Sequence, residues 1–127
     1  MQRVKMMTPA FIVIFVLFLS ACSSHKPLYN YGDYSENYYG VKKSPTPESE
    51  LEYQRSIEEA IANASESRSG RVPPGMYANL GYFYLKGGNR NKAIEYFTLE
   101  KSIYPEAIFF MDRMINKVKA MEERDAK

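Results

Sequence analysis

The chain has 127 residues, enough for one domain at most, and carries 17 basic and 15 acidic residues, one histidine and one cysteine. Arg3 and Lys5 precede Cys22, so the part from Cys22 onward holds 15 charges of each sign and is formally neutral; this excludes the basic face that nucleic-acid binding requires and gives no electrostatic reason to bind an anionic membrane. A lone cysteine cannot close an internal disulfide or build a cysteine-based metal site, and His25, close behind Cys22, reads as tether, so no catalytic set, no metal ligand set and no cofactor is expected.

Arg3 and Lys5, the apolar run Phe11 to Leu19, and the small residues Ser20-Ala21 follow the order of a secretory signal peptide. The run falls far short of the ~20 apolar residues that span a bilayer core. Leu19-Ser20-Ala21-Cys22 resembles the lipobox of bacterial lipoproteins. That resemblance implies cleavage after Ala21, attachment of a diacylglycerol to the Cys22 thiol, and acylation of the new amino group. One acyl chain holds a protein to a bilayer only marginally, whereas two or three hold it stably. Ser23 and Ser24 come next. An Asp there resembles the inner-membrane retention signal of enteric-type bacteria, so its absence implies the outer membrane, with the protein facing the periplasm.

Residues 22–47 contain Pro27, Pro45, Pro47, Gly32 and Gly40 and read as an irregular tether. Tyr29, Tyr31, Tyr34, Tyr38 and Tyr39 make it unusually aromatic for one. These rings either pack on the chain's own helices or offer a strip to a partner or a glycan. From Glu48 the pattern turns helical, with Tyr53, Ile57, Ala60, Ile61 and Ala64 at spacings of three and four. Ser65 to Pro74 interrupts it. A second helix is predicted from Gly75 to Lys86, ended by Gly87-Gly88, and a third from Arg90 to Ile103, stopped by Pro105. A fourth carries Ile108, Met111, Met114, Ile115, Val118 and Met121 on one face, with Glu122 to Lys127 fraying. The expected fold is all-α over residues 48–127.

Counted from Pro74, Tyr77, Leu80, Gly81, Tyr84, Ala93, Phe97 and Pro105 resemble in register the pattern of a tetratricopeptide repeat, a unit of about 34 residues. The resemblance implies a helical hairpin over residues 74–107, flanked by a leading helix and a capping helix. Small Gly81 and Ala93 would let the two helices approach while Tyr84 and Phe97 fill the space beside them. Glu100 departs, standing where the family has a small Ala, and looser packing is expected there. In such repeats the first helix lines a concave face, here through Gly75, Ala78, Tyr82, Leu85 and Lys86.

A second resemblance runs along the chain from Cys22. Tyr31-Gly32-Asp33-Tyr34, Tyr38-Tyr39 and Val72-Pro73-Pro74-Gly75-Met76-Tyr77 are similar to a family of short proteobacterial lipoproteins of undefined function. That family typically has Trp where this chain has Tyr31. It implies a cell-envelope role, beside a secretion or wall-synthesis complex, and brings no activity. Gly87-Gly88 lacks the Lys-Ser/Thr of a phosphate loop, and the pairs Glu58-Glu59 and Glu122-Glu123 read as solvated surface. The expectation is a non-catalytic adaptor with no small-molecule substrate. It is held to the membrane by the lipid on Cys22 and binds an envelope protein through Ala78, Tyr82, Leu85 and Lys86. The alternative is a peptidoglycan-associated structural lipoprotein that uses Tyr31, Tyr34 and their neighbours.

Overall fold

The computed structural model describes residues 25–126. The signal peptide and Cys22 lie outside the described residues. The described part is five α-helices with no strand among them: α1 (Tyr34–Lys43), α2 (Pro47–Ala62), α3 (Met76–Lys86), α4 (Arg90–Ile103) and α5 (Ile108–Asp125). Each helix packs mainly against its neighbours in sequence, giving an antiparallel array in which chain order is spatial order.

The leading, paired and capping helices stand where the periodicity puts them, and side-chain caps start two of them. Thr46 and Ser49 cap α2 reciprocally, the Ser49 N–H donating to Thr46 Oγ1 at 3.1 Å and the Thr46 N–H to Ser49 Oγ at 3.0 Å. Pro47, at the first helical position, gives up an N–H that would have had no partner. Asn89 caps α4 through the Lys92 N–H. Helix α5 runs to Asp125, whose carboxylate pairs with the Arg90 guanidinium at the start of α4.

The segment expected to be irregular is not so throughout, because Tyr34–Lys43 is helical. Glu36 in its first turn and Lys42 and Lys43 in its last suit the helix dipole. Tyr34, Tyr38 and Val41 recur at the spacing of one helical face. That face rests on α2, with Tyr34 and Tyr38 ring centroids 5.5 and 5.7 Å from that of Tyr53.

Two clusters make the core. Ile57, Ala60, Ala64, Val72, Met76 and Leu80 fill the space between α2 and α3. Ala93, Phe97, Met111, Ile115 and Val118 fill that between α4 and α5, with Ala78, Tyr84 and Leu85 of α3 packed on them. Helix α3 thus serves both clusters. Gly81 is where α3 meets α4: a Cβ there would stand 2.8 Å from Phe97 Cε1 and 3.2 Å from the Ala93 carbonyl oxygen.

Glu100 does not loosen the hairpin. It is only 3% exposed, and its carboxylate accepts the N–H groups of Gly75 at 2.7 Å and Ala78 at 3.3 Å. Gly75 has no side chain with which to cap α3, so α4 supplies the acceptor. Nearby, the Tyr104 hydroxyl donates to the Val72 carbonyl at 2.5 Å, and the Arg71 guanidinium donates to the Ile103 carbonyl at 2.6 Å while lying over the Tyr104 ring. These bonds fix the Val72–Gly75 loop against the end of α4.

Candidate functional site

The candidate contact residues separate by position. Tyr82, on the outer side of α3, is 53% exposed. It lines a pocket of about 250 Å³ together with Tyr38, Val41 and Lys42 of α1, Tyr53 of α2, and Phe83 and Lys86. Lys86 Nζ lies 3.6 Å from Glu50 Oε1 across the mouth, a solvated pair worth little stability but one that fixes a charge beside the rings. Lys42 Nζ stands 5.4 Å above the Tyr38 ring, a second cation over an aromatic face. A second depression shares Glu50, Phe83 and Lys86 and is walled by Leu51, itself exposed. The two form one continuous aromatic and apolar surface at the end of the array where α3 ends and α2 begins.

Leu85 and Ala78 do not join Tyr82. Both pack on the α4–α5 cluster, and Ala78 also gives its N–H to Glu100. Helical geometry explains this: residues three apart diverge by some 60° around the axis, enough to carry Leu85 over the edge and into the core. Gly75 is the left-handed residue that starts α3, with φ 86°. Of the face expected to bind, Tyr82 and Lys86 remain available.

The tyrosines expected as a strip form a continuous chain of ring contacts, Tyr29 to Tyr31, Tyr31 to Tyr34, Tyr34 to Tyr38 and Tyr38 to Tyr39, with centroids 5.6 to 6.4 Å apart. Tyr34 is the inward member. Its hydroxyl accepts from the Tyr53 hydroxyl at 3.2 Å and from the Asn79 amide at 3.0 Å, which joins α1, α2 and α3. Burial, followed by the hydrogen bond to Tyr34, pushes the Tyr53 hydroxyl well above the ordinary tyrosine range. Burial also raises Tyr31, with the phenols of Tyr29 and Tyr34 adding to the shift. Tyr34 therefore packs for the chain's own helices, while Tyr31, Tyr38 and above all Tyr39, 70% exposed, keep part of each ring open to water.

Sequence reasoning missed two parts of this surface. One is the α1 wall, whose helical stripe is written in tyrosines rather than aliphatic residues. The other is Leu51, which stands off the buried face of α2.

The model of a family described as "Domain of unknown function (DUF4810)" matches residues 28–114. That span takes in α1 to α4, the loop held by Glu100 and the first turns of α5. No curated protein and no solved structure matches the chain.

Proposed function

The chain belongs to the DUF4810 family, and from that premise we propose that it is a lipoprotein of the bacterial outer membrane that acts as a non-catalytic adaptor, docking an envelope protein on the surface around Tyr82. The observation that carries this reading is the grouping of Tyr82, Tyr38 and Leu51 around the Lys86–Glu50 pair. Partially exposed aromatic rings with a charge fixed at their edge are the usual anchors of protein interfaces. Tyr38 already rests against Tyr53 of α2, so it loses little side-chain freedom on binding.

In this reading the α3–α4 hairpin is a tetratricopeptide-like repeat, supported by the close approach of Gly81 to Phe97. The surface used is its first-helix face, narrowed to Tyr82 and Lys86 and extended by α1. The anchor is the lipid on Cys22, supported by the signal-peptide pattern and by Leu19-Ser20-Ala21-Cys22.

Photo-crosslinking in cells tests the docking surface. With p-benzoylphenylalanine in place of Tyr82, a discrete adduct of larger mass is expected, and with it in place of Asn116 on α5, none. Equal or absent labelling at the two positions sinks the adaptor reading. Cys22→Ser tests the anchor: the variant should accumulate as an unacylated precursor, and normal maturation would exclude the lipoprotein assignment.

A further inference from the structure

Four apolar side chains stand exposed at one end of the array. Phe109 and Phe110, in the first turn of α5, are 75% and 60% exposed, Ile108 precedes them in sequence and is exposed too, and Leu28 is exposed where the chain enters the fold. Ile108 thus departs from the core face on which the periodicity placed it. Adjacent phenylalanines so open to water are costly on a free surface and mark a contact site.

The described chain begins at this same end. The Arg68 N–H donates to the Pro27 carbonyl at 2.9 Å and the Ser69 N–H to the Leu28 carbonyl at 3.1 Å. Three residues on, Arg71 and Val72 are bonded to Ile103 and Tyr104 at the end of α4. The Ala107 N–H then closes the turn onto the Tyr104 carbonyl and delivers the chain to Ile108. The point where the chain enters the fold and the Phe109-Phe110 pair therefore share one end, and Tyr82 and Lys86 lie toward the other.

From this arrangement we infer that the Ile108–Phe110 turn seats in the phospholipid leaflet that holds the lipid of Cys22, which turns the Tyr82 surface away from the membrane. The inference rests on the lipoprotein reading above. Cys22 precedes Pro27, whose carbonyl is bonded to Arg68, by five residues, a reach of roughly 18 Å when fully extended. That short connection keeps this end of the domain at the lipid surface rather than at the end of a long tether. Aromatic side chains favour the zone between headgroups and acyl chains, and the Arg113 guanidinium, 5.8 Å above the Phe109 ring, is placed to meet phosphates while the ring goes below them. A second copy of the chain fits less well, because a stable protein interface takes about 20–30 residues a side, and the apolar group here is four.

The test uses the full-length chain, processed in a Gram-negative host and reconstituted in vesicles of phosphatidylethanolamine and phosphatidylglycerol. p-Benzoylphenylalanine replaces Phe109, Phe110 or, at the far end, Asn91, and adducts are read by mass spectrometry after irradiation. Phospholipid adducts are expected at Phe109 and Phe110 and none above background at Asn91. The N-terminal peptide from the same digest reports acylation of Cys22. Acylated Cys22 without phospholipid adducts overturns the inference and leaves the anchor standing. Adducts to a second copy, or to another protein, in place of lipid also overturn it. Unmodified Cys22 overturns both readings. In a second measurement, Phe109→Ser with Phe110→Ser should leave the circular dichroism of the protein unchanged and raise trypsin cleavage after Arg113 on vesicles. An unchanged cleavage rate counts against the leaflet contact.

Discussion

Glu100 Oε1 accepts the backbone N–H of Gly75 at 2.7 Å, so a side chain of α4 caps the start of α3 from across the hairpin. Its other oxygen takes the Ala78 N–H, and two N–H groups of the first turn find an acceptor that Gly75 cannot provide. A carboxylate at a helix N-terminus also meets the positive end of the helix dipole. The pair thereby turns a break in the repeat pattern into the joint that sets the angle between α3 and α4.

Removing that acceptor should be expensive. Glu100→Ala strands two donors in a buried place, and a loss of about 1–3 kcal/mol is expected from chemical denaturation. Glu100→Gln keeps one acceptor oxygen and should lose less. An Ala variant as stable as the parent would show that water replaces the carboxylate at no cost.

The contact between Gly81 and Phe97 predicts a coupled pair. Gly81→Ala places a Cβ 2.8 Å from a ring that is fully buried. Overpacking of this kind costs about 1–3 kcal/mol. In a Phe97→Leu background the ring edge is gone, so Gly81→Ala should cost clearly less. A double-mutant cycle of melting curves measures the difference, and strict additivity would mean that the two residues do not meet.

High pH should unfold the domain through its tyrosines. Tyr53 and Tyr104 both have hydroxyls raised well above the ordinary value of 10.0, chiefly by burial. A raised acid holds its proton longer in the folded chain than in the unfolded one. The stability it contributes is complete below about pH 10 and is lost as pH climbs from there toward the folded value. Melting temperatures should stay level up to about pH 9 and fall above it. Tyr53→Phe should flatten that fall, and a fall of undiminished steepness would place the alkaline sensitivity elsewhere.

The sequence made α2 to α5 legible because their aliphatic residues recur at helical spacing and Pro, Gly and capping residues punctuate them. Helix α1 was hidden for a physical reason. Its inward face centres on Tyr34, which reads as polar or aromatic surface until Tyr53 and Asn79 are brought beside it. Glu100 misled for a similar reason, since its partners are backbone N–H groups, and those have no signature in a sequence. Of the candidate contacts, Tyr82 and Lys86 are exposed on the outer side of α3. Leu85 is not, because a helix face as wide as three residues crosses the boundary between surface and core.

Tyr82 and Leu85 therefore give the sharpest separation of binding from stability. Tyr82 is half open to water and packs on neither core cluster, so Tyr82→Ala should move the melting curve by less than about 0.5 kcal/mol. If Tyr82 anchors a partner, the same change should weaken capture by about 1–2 kcal/mol, roughly a tenfold loss or more. Leu85 is half-buried against the α4–α5 cluster. Leu85→Ala should reverse the pattern, costing about 2 kcal/mol of stability by leaving a void and lowering capture only in step with the fraction unfolded. Thermal melts and quantitative crosslinking on the two single variants decide it. A Leu85 variant that melts normally yet loses its partner would move the docking surface to the α5 side of the hairpin.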